Sequence, residues 1–333
     1  MTIKDLAAQT GYSVGTVSRV LNNQPHVSNL AREVILKAAT ESGFQLNTNA
    51  KQLKQQHSNT ILVICKGNSN ELFDTLLVSI QARMAQTNYP LIVDYIDEIG
   101  NEVRRAVQLC LEKKPLGILF LGGNREHFLA DFHQIPVPCV LVTNDAANLP
   151  FSNLSSVSSD DALAAEIAID HLVQLGHKKI AVIGGNRQLS DTTALRYAGC
   201  VKAFRKHGIA FDELHYETAR FSYEDGYRAA RALLGRNPEL TALFAMSDVM
   251  AIGAIRALND VGKRVPEDVS VIGFDGLAIG EYMVPRLTTV AQSAGDLAER
   301  SLALLSLGIE DGTTAIHETV PVRLLWKESA KQI

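Results

Sequence analysis

The sequence predicts an all-α N-terminal head followed by an α/β core of two lobes, each a doubly wound parallel sheet. Three observations lead to this fold class. Residues 1–45 have the spacing of three short helices, and apolar strands alternate with helical stretches from Thr60 onward. The phrase Leu-Gly-Gly-Asn-Arg at 121–125 also returns as Ile-Gly-Gly-Asn-Arg at 183–187. A chain of 333 residues with 46% hydrophobic content can form about two or three domains.

The head is predicted to be a helix-turn-helix with a supporting third helix. Thr2 is an N-cap residue with Asp5 three positions later, and Gly11 ends this first helix. Ser13 starts the second helix, and Ser28 caps the third, which is predicted to end at Gly43. The apolar positions expected to face the core of the head are Val17, Val20, Leu21, Val34, Ile35, Ala38 and Ala39. Two short helices joined by a tight turn form the motif.

The charge distribution indicates that the head contacts nucleic acid. Residues 1–59 hold six Lys or Arg and three Asp or Glu, whereas the rest of the chain holds 26 and 33. A helix-turn-helix inserts the N-terminal residues of its second helix into the major groove. Arg19 could bond a guanine edge, or it could touch only phosphate or solvent, and both interpretations stay open. The candidate DNA-contact residues here are Ser13, Val14, Gly15, Thr16, Ser18, Arg19 and Asn22.

The core is predicted from two series of near-continuous apolar strands joined by helices, the pattern of buried parallel sheets. The first series has strands at 61–65, 91–96, 117–123 and 139–144, with helices over 72–87 and 103–112. The second has strands at 179–185, 217–220, 242–246 and 269–274, with helices over 162–175, 193–207, 225–234 and 250–261. The repeated Gly-Gly-Asn-Arg phrase suggests that both lobes reach a sheet edge in the same way.

Several function classes are disfavoured by absent motifs. The sequence contains no GK[ST], GxGxxG or HExxH, and its nine His do not cluster with acids, so we expect no enzyme, cofactor or metal site. The apolar runs are far shorter than the ~20 residues of a membrane span. The N-terminus has an acid at position 5 and no long apolar stretch, so we expect no signal peptide and a cytoplasmic protein, nucleoid-associated when bound to DNA. The scattered cysteines (Cys65, Cys110, Cys139 and Cys200) are expected to be small buried hydrophobes.

The run IKDLAAQTGYSVGTVSRVLNNQPHVSNLAREVILKAATESGF resembles the DNA-binding head of the LacI/GalR family of bacterial transcription regulators. The core resembles the same family, and by extension periplasmic sugar-binding proteins, through HLVQLGHKKIAVIGG, SDVMAIGAIRAL, GKRVPEDVSVIGFD and PRLTTVAQ. Together these motifs span nearly the whole chain. The resemblance implies a periplasmic-binding-protein-like core and a sequence-specific regulator, which we expect to be a repressor. It would bind double-stranded palindromic operator DNA as a homodimer.

The resemblance also implies how the chain is divided. We expect a head over 1–45, a hinge helix or linker over 46–59 and an effector-binding core over 60–333. Within the core, lobe 1 is expected to hold 60–158 and 288–315, and lobe 2 to hold 159–287 and 316–333.

The family's hinge helix maps onto Ala50-Lys51-Gln52-Leu53. Ala50, Lys51 and Leu53 would contact DNA, and the two copies of Leu53 in a dimer would wedge into the minor groove. Leu46 stands where the family usually has proline, and Lys51 and Gln52 replace the commoner Arg and Ser. A polar linker over 45–59 is the alternative.

A small-molecule effector is expected between the lobes, because parallel sheets bind ligands at the carboxyl ends of their strands. Strand ends and the family resemblance together give the candidate effector residues Phe73, Thr143, Arg196, Phe221, Ser247, Asp275 and Gln292. An Asp, an Arg and an aromatic ring suit the paired hydroxyls and C–H faces of a sugar. Other interpretations stay open. Arg196 could pair with Asp275, and either phenyl ring could belong to the core. Asp160, Asp161 and Asp248 are expected to cap helices.

The loop Gln188-Leu189-Ser190-Asp191-Thr192 favours a neutral sugar or polyol. Purine-responsive relatives carry extra cations in this loop, and here it has an acid and no cation. No leucine heptad follows Trp326, so no tetramer-forming tail is expected. The alternatives are a ligand-independent regulator or one controlled by a protein partner, and, further away, a sugar-binding transport protein or an α/β enzyme. The sequence leaves open whether the effector releases DNA or promotes its binding.

Overall fold

The computed structural model describes residues 2–21, 24–25, 27–42, 44, 58–67 and 70–333. The chain divides into two compact units, Met1–Ser58 and Asn59–Ile333. The expected hinge residues Ala50, Lys51 and Leu53, together with Asn22 and Gly43, lie outside the described residues.

The first unit folds into the predicted three helices: α1 (Ile3–Thr10), α2 (Val14–Leu21) and α3 (Asn29–Glu41). Thr2 and Asp5 form a capping box, and Gly11 ends α1 in the left-handed conformation with φ 73°. The Ser28 side chain accepts a hydrogen bond from the backbone N–H of Ala31. The fully buried core of this unit includes Leu6, Val17 and Ile35.

One predicted core position of the head is wrong. Val34 is 38% exposed, whereas Ala31, Ile35 and Ala39 are buried. These three residues recur every four positions and form the centre of the buried stripe of α3. Val34 lies about 100° around the helix from Ile35, at the rim of that stripe.

The second unit contains two six-stranded sheets with helices on their faces. Lobe 1 begins with β1 (Ile61–Lys66), α4 (Glu71–Met84), β2 (Leu91–Ile96), α5 (Glu102–Lys113), β3 (Gly117–Leu121), α6 (Arg125–Asp131), β4 (Cys139–Val142) and β5 (Leu154–Ser159). Lobe 2 follows with α7 (Asp161–Gln174), β6 (Ile180–Gly184), α8 (Asp191–Lys206), β7 (Tyr216–Thr218), α9 (Tyr223–Arg236), β8 (Ala242–Ala245), α10 (Asp248–Asp260), β9 (Ser270–Asp275) and β10 (Thr288–Ala291). The last elements are α11 (Ala294–Asp311), β11 (His317–Val320) and β12 (Arg323–Leu325).

The strand order is β11-β5-β4-β3-β1-β2 in lobe 1 and β12-β10-β9-β8-β6-β7 in lobe 2. All pairings are parallel except that of β10 with β12. Ile61 aligns with Leu91 on one side and with Gly117 on the other, and the β6–β8 register aligns Ile180 with Ala242. The doubly wound parallel fold predicted from the apolar runs is therefore confirmed.

The chain crosses between the lobes at residue 160, at 292–293 and at 321–322, which corrects part of the expected division. Strand β10 was expected in lobe 1, yet it pairs with β9 of lobe 2. Strand β11 was expected in lobe 2, yet it pairs with β5 of lobe 1. Helix α11 packs on lobe 1 as expected, with Leu297, Leu304 and Leu305 buried. A strand pattern reveals a strand but not its neighbours, because pairing depends on distant residues.

The lobes also share apolar contact. Val249 and Leu277 of lobe 2 pack into the cluster of lobe 1 that contains Phe73 and Leu76. Of the cysteines, Cys65, Cys139 and Cys200 are buried, Cys110 is partly exposed, and all four are free. None of the helices in the described part of the chain is long and apolar enough to cross a membrane.

Candidate functional site

The candidate DNA-contact residues that the structure describes lie on α2 and just before it. Ser13, Val14, Gly15 and Arg19 are exposed, and Thr16 and Ser18 are partly exposed. The hydroxyls of Ser13 and Thr16 lie 2.9 Å apart, and the Ser13 hydroxyl accepts the backbone N–H of Thr16 at 3.1 Å, which fixes the start of the helix. The opposite face holds the buried Val17 and Val20. The surface side of this helix therefore carries two hydroxyls and one cation, together with the exposed apolar side chain of Val14.

A cavity of about 130 Å³ lies between the two lobes, at the carboxyl ends of their strands. Both lobes contribute to its lining, as expected for parallel sheets that face each other. It is lined by five of the seven candidate effector residues: Phe73, Thr143, Arg196, Phe221 and Asp275. The structure therefore brings these five together at one site.

Two lining residues have unusual backbone conformations at equivalent places. Thr143 follows β4 of lobe 1 with φ 75°, and Asp275 ends β9 of lobe 2 with φ 116°. Non-glycine residues rarely adopt positive φ, and such strain concentrates at ligand sites, where the surrounding fold must enforce it. Each lobe thus presents one polar side chain to the cavity from a strained strand end.

Arg196 is held from behind by groups of lobe 2. Its Nε donates to Oδ1 of Asp161 at 2.7 Å, and its Nη1 donates to the carbonyl oxygen of Met246 at 2.6 Å. The guanidinium carbon lies 3.7 Å from the ring centroid of Phe274. Both charged residues are buried. The carboxylate partner of Arg196 is therefore Asp161 rather than Asp275, which answers the open question about this pair.

Asp275 is held by a neutral group. The Nε2 of Gln292 donates to Asp275 Oδ1 at 2.9 Å, so Gln292 lies behind Asp275 rather than in the cavity lining. Burial raises the pKa of Asp275 to about 7, with the Arg196 guanidinium opposing part of that shift. The arrangement supplies one acceptor carboxyl at the cavity wall, beside one fixed cation.

Neither Ser247 nor Asp248 has its expected role. Ser247 is the N-cap of α10 and accepts the Met250 N–H at 3.3 Å, which places it outside the cavity lining. Asp248 was expected to be the cap. Instead it accepts the Leu277 N–H at 2.7 Å and the Thr289 hydroxyl at 2.6 Å. Burial raises the pKa of Asp248 to about 8. A residue pair at a helix start can be read either way from sequence, because Ser and Asp both cap well.

The acids at the start of α7 also divide their roles. Asp160 caps α7 as expected, accepting the Leu163 N–H at 2.9 Å. Asp161 is one residue further along, and its carboxylate points to Arg196. The sequence signal that could have identified it is weak, since it consists only of a second acid where one cap suffices.

The two phenyl rings of the cavity each pack against a glycine of the repeated Gly-Gly phrase. An added Cβ at Gly122 would lie 2.9 Å from Cζ of Phe73, and one at Gly185 would lie 3.0 Å from Cε2 of Phe221. A Cβ at Gly122 would therefore force the Phe73 ring to shift, and one at Gly185 would crowd the Phe221 ring. The Gly-Gly phrase therefore makes room for one ring on each lobe.

Lys66 is a lining residue that the sequence reasoning missed. It ends β1, and its ammonium contacts the Glu102 carboxylate and the Gly100 carbonyl oxygen, the latter at 2.7 Å. Glu102 also accepts the Asn124 N–H at 2.6 Å and contacts Nδ1 of His127 at 2.9 Å. The available signal was a polar residue at the carboxyl end of an apolar strand. Further unassigned lining residues are the amides Asn70, Asn144 and Asn186.

Polar contacts join the lobes at the edges of the cleft. Arg220 of lobe 2 contacts Glu98 of lobe 1 at 2.7 Å and Asp97 at 2.9 Å. The Nδ2 of Asn124 donates to the Leu189 carbonyl oxygen at 3.1 Å, and the Arg125 N–H donates to Asp191 at 2.8 Å. The Tyr223 hydroxyl also contacts the Glu71 carboxylate. The lobes are therefore closed over the cavity. Among the described residues, no group of three or more His, Cys, Asp or Glu could hold a metal ion.

The chain matches two family models in the order of its two units. Residues 2–47 match the model of bacterial regulatory proteins of the lacI family, and residues 169–330 match the periplasmic binding protein-like domain. The HTH-type transcriptional regulator MalR of Clostridium butyricum is 33% identical over 337 residues, which cover 100% of both chains.

Solved structures show the same architecture. The lac repressor dimer bound to operator and the anti-inducer ONPF is 26% identical, with a TM-score of 0.83 over 99% of both chains. The regulator CelR in complex with cellobiose is 27% identical, with a TM-score of 0.73 over 99% of both chains. A regulator from Enterococcus faecium with bound ribose is 26% identical, with a TM-score of 0.71 over 82% of this chain and 99% of that one. The predicted fold class and regulator function are confirmed, and the chain belongs to the LacI family of bacterial transcription regulators.

Proposed function

We propose that this chain is a repressor that binds palindromic operator DNA as a homodimer and is controlled by a neutral, single-ring sugar in the inter-lobe cavity. The observation that carries the proposal is the closed cavity with Arg196, Asp275 and a phenyl ring from each lobe. Planar charged groups suit vicinal hydroxyls, and aromatic faces suit the C–H surface of a sugar ring. Relatives in solved structures hold ribose and cellobiose, which supports a carbohydrate class.

The size of the cavity favours one sugar ring over two. Its volume is about 130 Å³. An engineered apolar cavity of about 150 Å³ in another protein accommodates benzene. A second cavity of about 330 Å³ adjoins the first and shares Lys66, Asn70, Glu98 and Phe221 with it, so a disaccharide would have to occupy both. The single-ring assignment therefore rests on the volume of the first cavity.

The charges around the cavity favour a neutral ligand. Lys66 is paired with Glu102, Arg196 with Asp161, and Arg220 with Glu98. Each cation is therefore neutralised by a carboxylate before any ligand binds, and Asp275 would repel an anion once ionised. These pairs support the interpretation of the cation-free loop 188–192, which disfavours sugar phosphates and purines.

The proposed mechanism is a shift between two arrangements of the lobes. A ligand changes such an equilibrium only by binding one arrangement better than the other. A sugar that fills the closed cavity would stabilise closure, and closure would alter the spacing of the paired heads in a homodimer. A pair of heads is proposed because two-fold proteins read palindromic half-sites. The protein would act in the cytoplasm, on the nucleoid.

The effector half of the proposal is tested by thermal unfolding of the full chain with a panel of compounds. The panel holds D-ribose, D-glucose, D-galactose, cellobiose, maltose, ribose 5-phosphate and adenine. A ligand at about 100 times its Kd stabilises the folded state by about 2.7 kcal/mol, which raises the midpoint by a few degrees. We expect a monosaccharide to give the largest shift and Asp275→Asn to abolish it.

Each other outcome of the panel has a stated meaning. A larger shift from a disaccharide would contradict the single-ring assignment, and one from ribose 5-phosphate or adenine would contradict the neutral class. If no compound stabilises the chain, the regulator controlled by a protein partner becomes the better hypothesis.

The DNA half is tested with Arg19→Ala. If Arg19 bonds a guanine edge, the variant loses about 1–3 kcal/mol of discrimination between operator and random duplex, measured by fluorescence anisotropy at fixed salt. Lys37→Ala is the matched control, because Lys37 is an exposed cation on α3 that faces Glu41 at 4.0 Å. Equal discrimination by the Arg19 variant and the wild type would reject the groove assignment. The proposed contacts at Ala50, Lys51 and Leu53 follow from the resemblance alone.

A further inference from the structure

Lobe 2 buries three carboxyl groups and one cation at and behind the cavity. Asp161, Asp248 and Asp275 are exposed by 3%, 0% and 6%, and the buried cation among them is Arg196, at 5%. Oδ1 of Asp161 accepts a hydrogen bond from the Nε of Arg196 at 2.7 Å. Asp248 is satisfied by the neutral donors Leu277 N–H and Thr289 hydroxyl. Arg196 therefore forms its ion pair with Asp161, and the side chain of Asp275 is hydrogen-bonded to the neutral amide of Gln292.

We propose that Asp161 is a positioning residue that commits Arg196 to one carboxylate and thereby leaves Asp275 as a proton-binding group in the effector site. Asp161 begins α7 directly after the crossing at residue 160, and Gln292, which holds Asp275, lies in the crossing at 292–293. Both residues of the cavity wall are thus fixed by segments that connect the lobes. A carboxyl that is buried beside a shared cation binds its proton more tightly than a fully paired one.

The groups that face Asp275 come from both lobes. In lobe 2, Asp161 disfavours its ionisation, whereas Arg196 and the amide of Gln292 favour it. Asp248 has the higher pKa of the two, because burial and the Asp275 carboxyl both raise it. In lobe 1, Lys66 and Glu98 line the same cavity, but each has its own partner, Glu102 and Arg220 respectively. Lobe 1 therefore adds a paired cation and a paired anion to the surroundings of Asp275.

This arrangement has a consequence for ligand binding, which rests on the proposed function. A sugar hydroxyl that donates to Asp275 favours its charged form. Effector binding near neutral pH would then release a proton, and effector affinity would rise as the pH rises toward 8. Asp161 would set the pH range of that response, because it determines how much of the Arg196 charge reaches Asp275.

The test uses the full chain without ligand, so it does not depend on the effector. Thermal unfolding midpoints are measured from pH 4.5 to 8.5 for the wild type and Asp275→Asn. Asparagine tolerates positive φ, so it suits the backbone at φ 116°. Asp275 has a pKa of about 7 in the folded chain and an ordinary value of about 3.9 when unfolded. The wild type should therefore lose several degrees relative to the variant as the pH rises from 4.5 to 7.5, and the difference should then level off.

The same comparison in an Asp161→Asn background isolates the positioning role. With Asp161 neutral, Arg196 is free to pair with Asp275. The pH midpoint, meaning the pH at which half of the difference in unfolding temperature caused by Asp275→Asn has developed, should then be at least one unit lower. The matched control is Asp170→Asn on the same helix, since Asp170 pairs with Lys206 and His207 away from the cavity. That background should leave the midpoint unchanged.

Two results would overturn the proposal. One is a wild-type minus Asp275→Asn difference that is flat from pH 4.5 to 8.5, which would mean that Asp275 is ionised throughout. The other is an unmoved midpoint in the folded Asp161→Asn background, which a purely structural role of Asp161 would give. If Asp161→Asn does not fold, as judged by near-ultraviolet circular dichroism, the comparison of the wild type with Asp275→Asn decides.

Discussion

The repeated phrase Gly-Gly-Asn-Arg is followed by different structures in the two lobes. In lobe 1, Asn124 of the phrase at 121–125 accepts the Glu126 N–H at 2.8 Å and starts α6 at once. In lobe 2, Asn186 of the phrase at 183–187 accepts the Gln188 N–H at 2.9 Å, but α8 begins only at Asp191. The intervening loop reaches back, and its Leu189 carbonyl oxygen accepts from Asn124. A short phrase therefore fixes a local turn, while the residues after it decide whether a helix follows.

The lobes are also alike in placing one buried ion pair beneath the cavity. Lys66 and Glu102 have side-chain exposures of 9% and 0% in lobe 1, and Arg196 and Asp161 have 6% and 3% in lobe 2. In lobe 1 the Glu102 carboxylate contacts Lys66, the Asn124 N–H and His127. In lobe 2 the cation is held by Asp161, and the buried carboxyl of Asp275 lines the cavity beside that pair. Lobe 2 therefore places a second buried carboxyl next to its ion pair.

The largest expected effect is on the ion pair of lobe 1. Glu102→Ala removes the partner of the buried Lys66 and leaves the Asn124 N–H, which it accepts at 2.6 Å, without its carboxylate. Breaking a buried ion pair by removing one partner costs about 3–5 kcal/mol. We expect the urea-induced unfolding of the core to shift by that amount, measured by circular dichroism.

Glu112→Ala is the control for this change, since Glu112 is an exposed acid on the same helix and accepts a hydrogen bond from Gln108 at 2.9 Å. A surface substitution of this kind changes stability by about 0.5 kcal/mol or less. If Glu102→Ala costs no more than Glu112→Ala, lobe 1 is not held by its buried pair, and the contrast between the lobes disappears.

The sequence was most informative where a single segment decides the structure. Apolar strands such as 61–65 and 117–121 are buried in the sheets. A short run of apolar residues between helices is typical of a parallel sheet, where helices cover both faces of the strand. It was least informative where distant segments pair. Strand β5 (Leu154–Ser159), with its four serines, has no apolar run and was not predicted. The sheet memberships of β10 and β11 were wrong for the same reason.

The residues of the candidate effector site show the same difference between local and distant determinants. Asp275 and Arg196 follow from strand ends and from the resemblance, and both line the cavity. Ser247 was misassigned because its hydroxyl is used by its own helix, at Met250. Asp161 was overlooked because its partner lies 35 residues away on another helix. Spacing along the chain describes a local cap, but it cannot describe a contact that tertiary packing creates.

A smaller effect should distinguish the two copies of the phrase. Asn124→Ala removes the cap of α6 and a hydrogen bond to the other lobe, so we expect a loss of about 1 kcal/mol. Asn186→Ala removes only an exposed turn contact to Gln188 and should cost less than half as much. Urea-induced unfolding of the two variants measures both. Equal losses of unfolding free energy would show that the Asn of the phrase stabilises both lobes to the same extent.

The smallest expected effect concerns the ion pairs that join the lobes. Arg220→Gln removes the contacts from lobe 2 to Asp97 and Glu98, and the side chain of Arg220 is 52% exposed. Exposed pairs contribute up to about 1 kcal/mol and are screened by salt, whose Debye length falls to about 3 Å at 1 M. We therefore expect a slightly lower unfolding midpoint in dilute buffer and none of that loss at ~1 M salt.

Arg228→Gln is the matched control for that last change. Arg228 lies on α9, near Arg220 in the chain, and it pairs only with Glu224 and Asp225 of its own helix among the contacts of the described residues. Both variants remove an exposed cation, but only Arg220→Gln removes a contact between the lobes. If the Arg220 variant alone lowers affinity for a cavity ligand at low salt, then lobe 2 is held against lobe 1 by charge. If both variants behave alike, closure depends on the apolar contact of Val249 and Leu277 with lobe 1, which salt does not weaken.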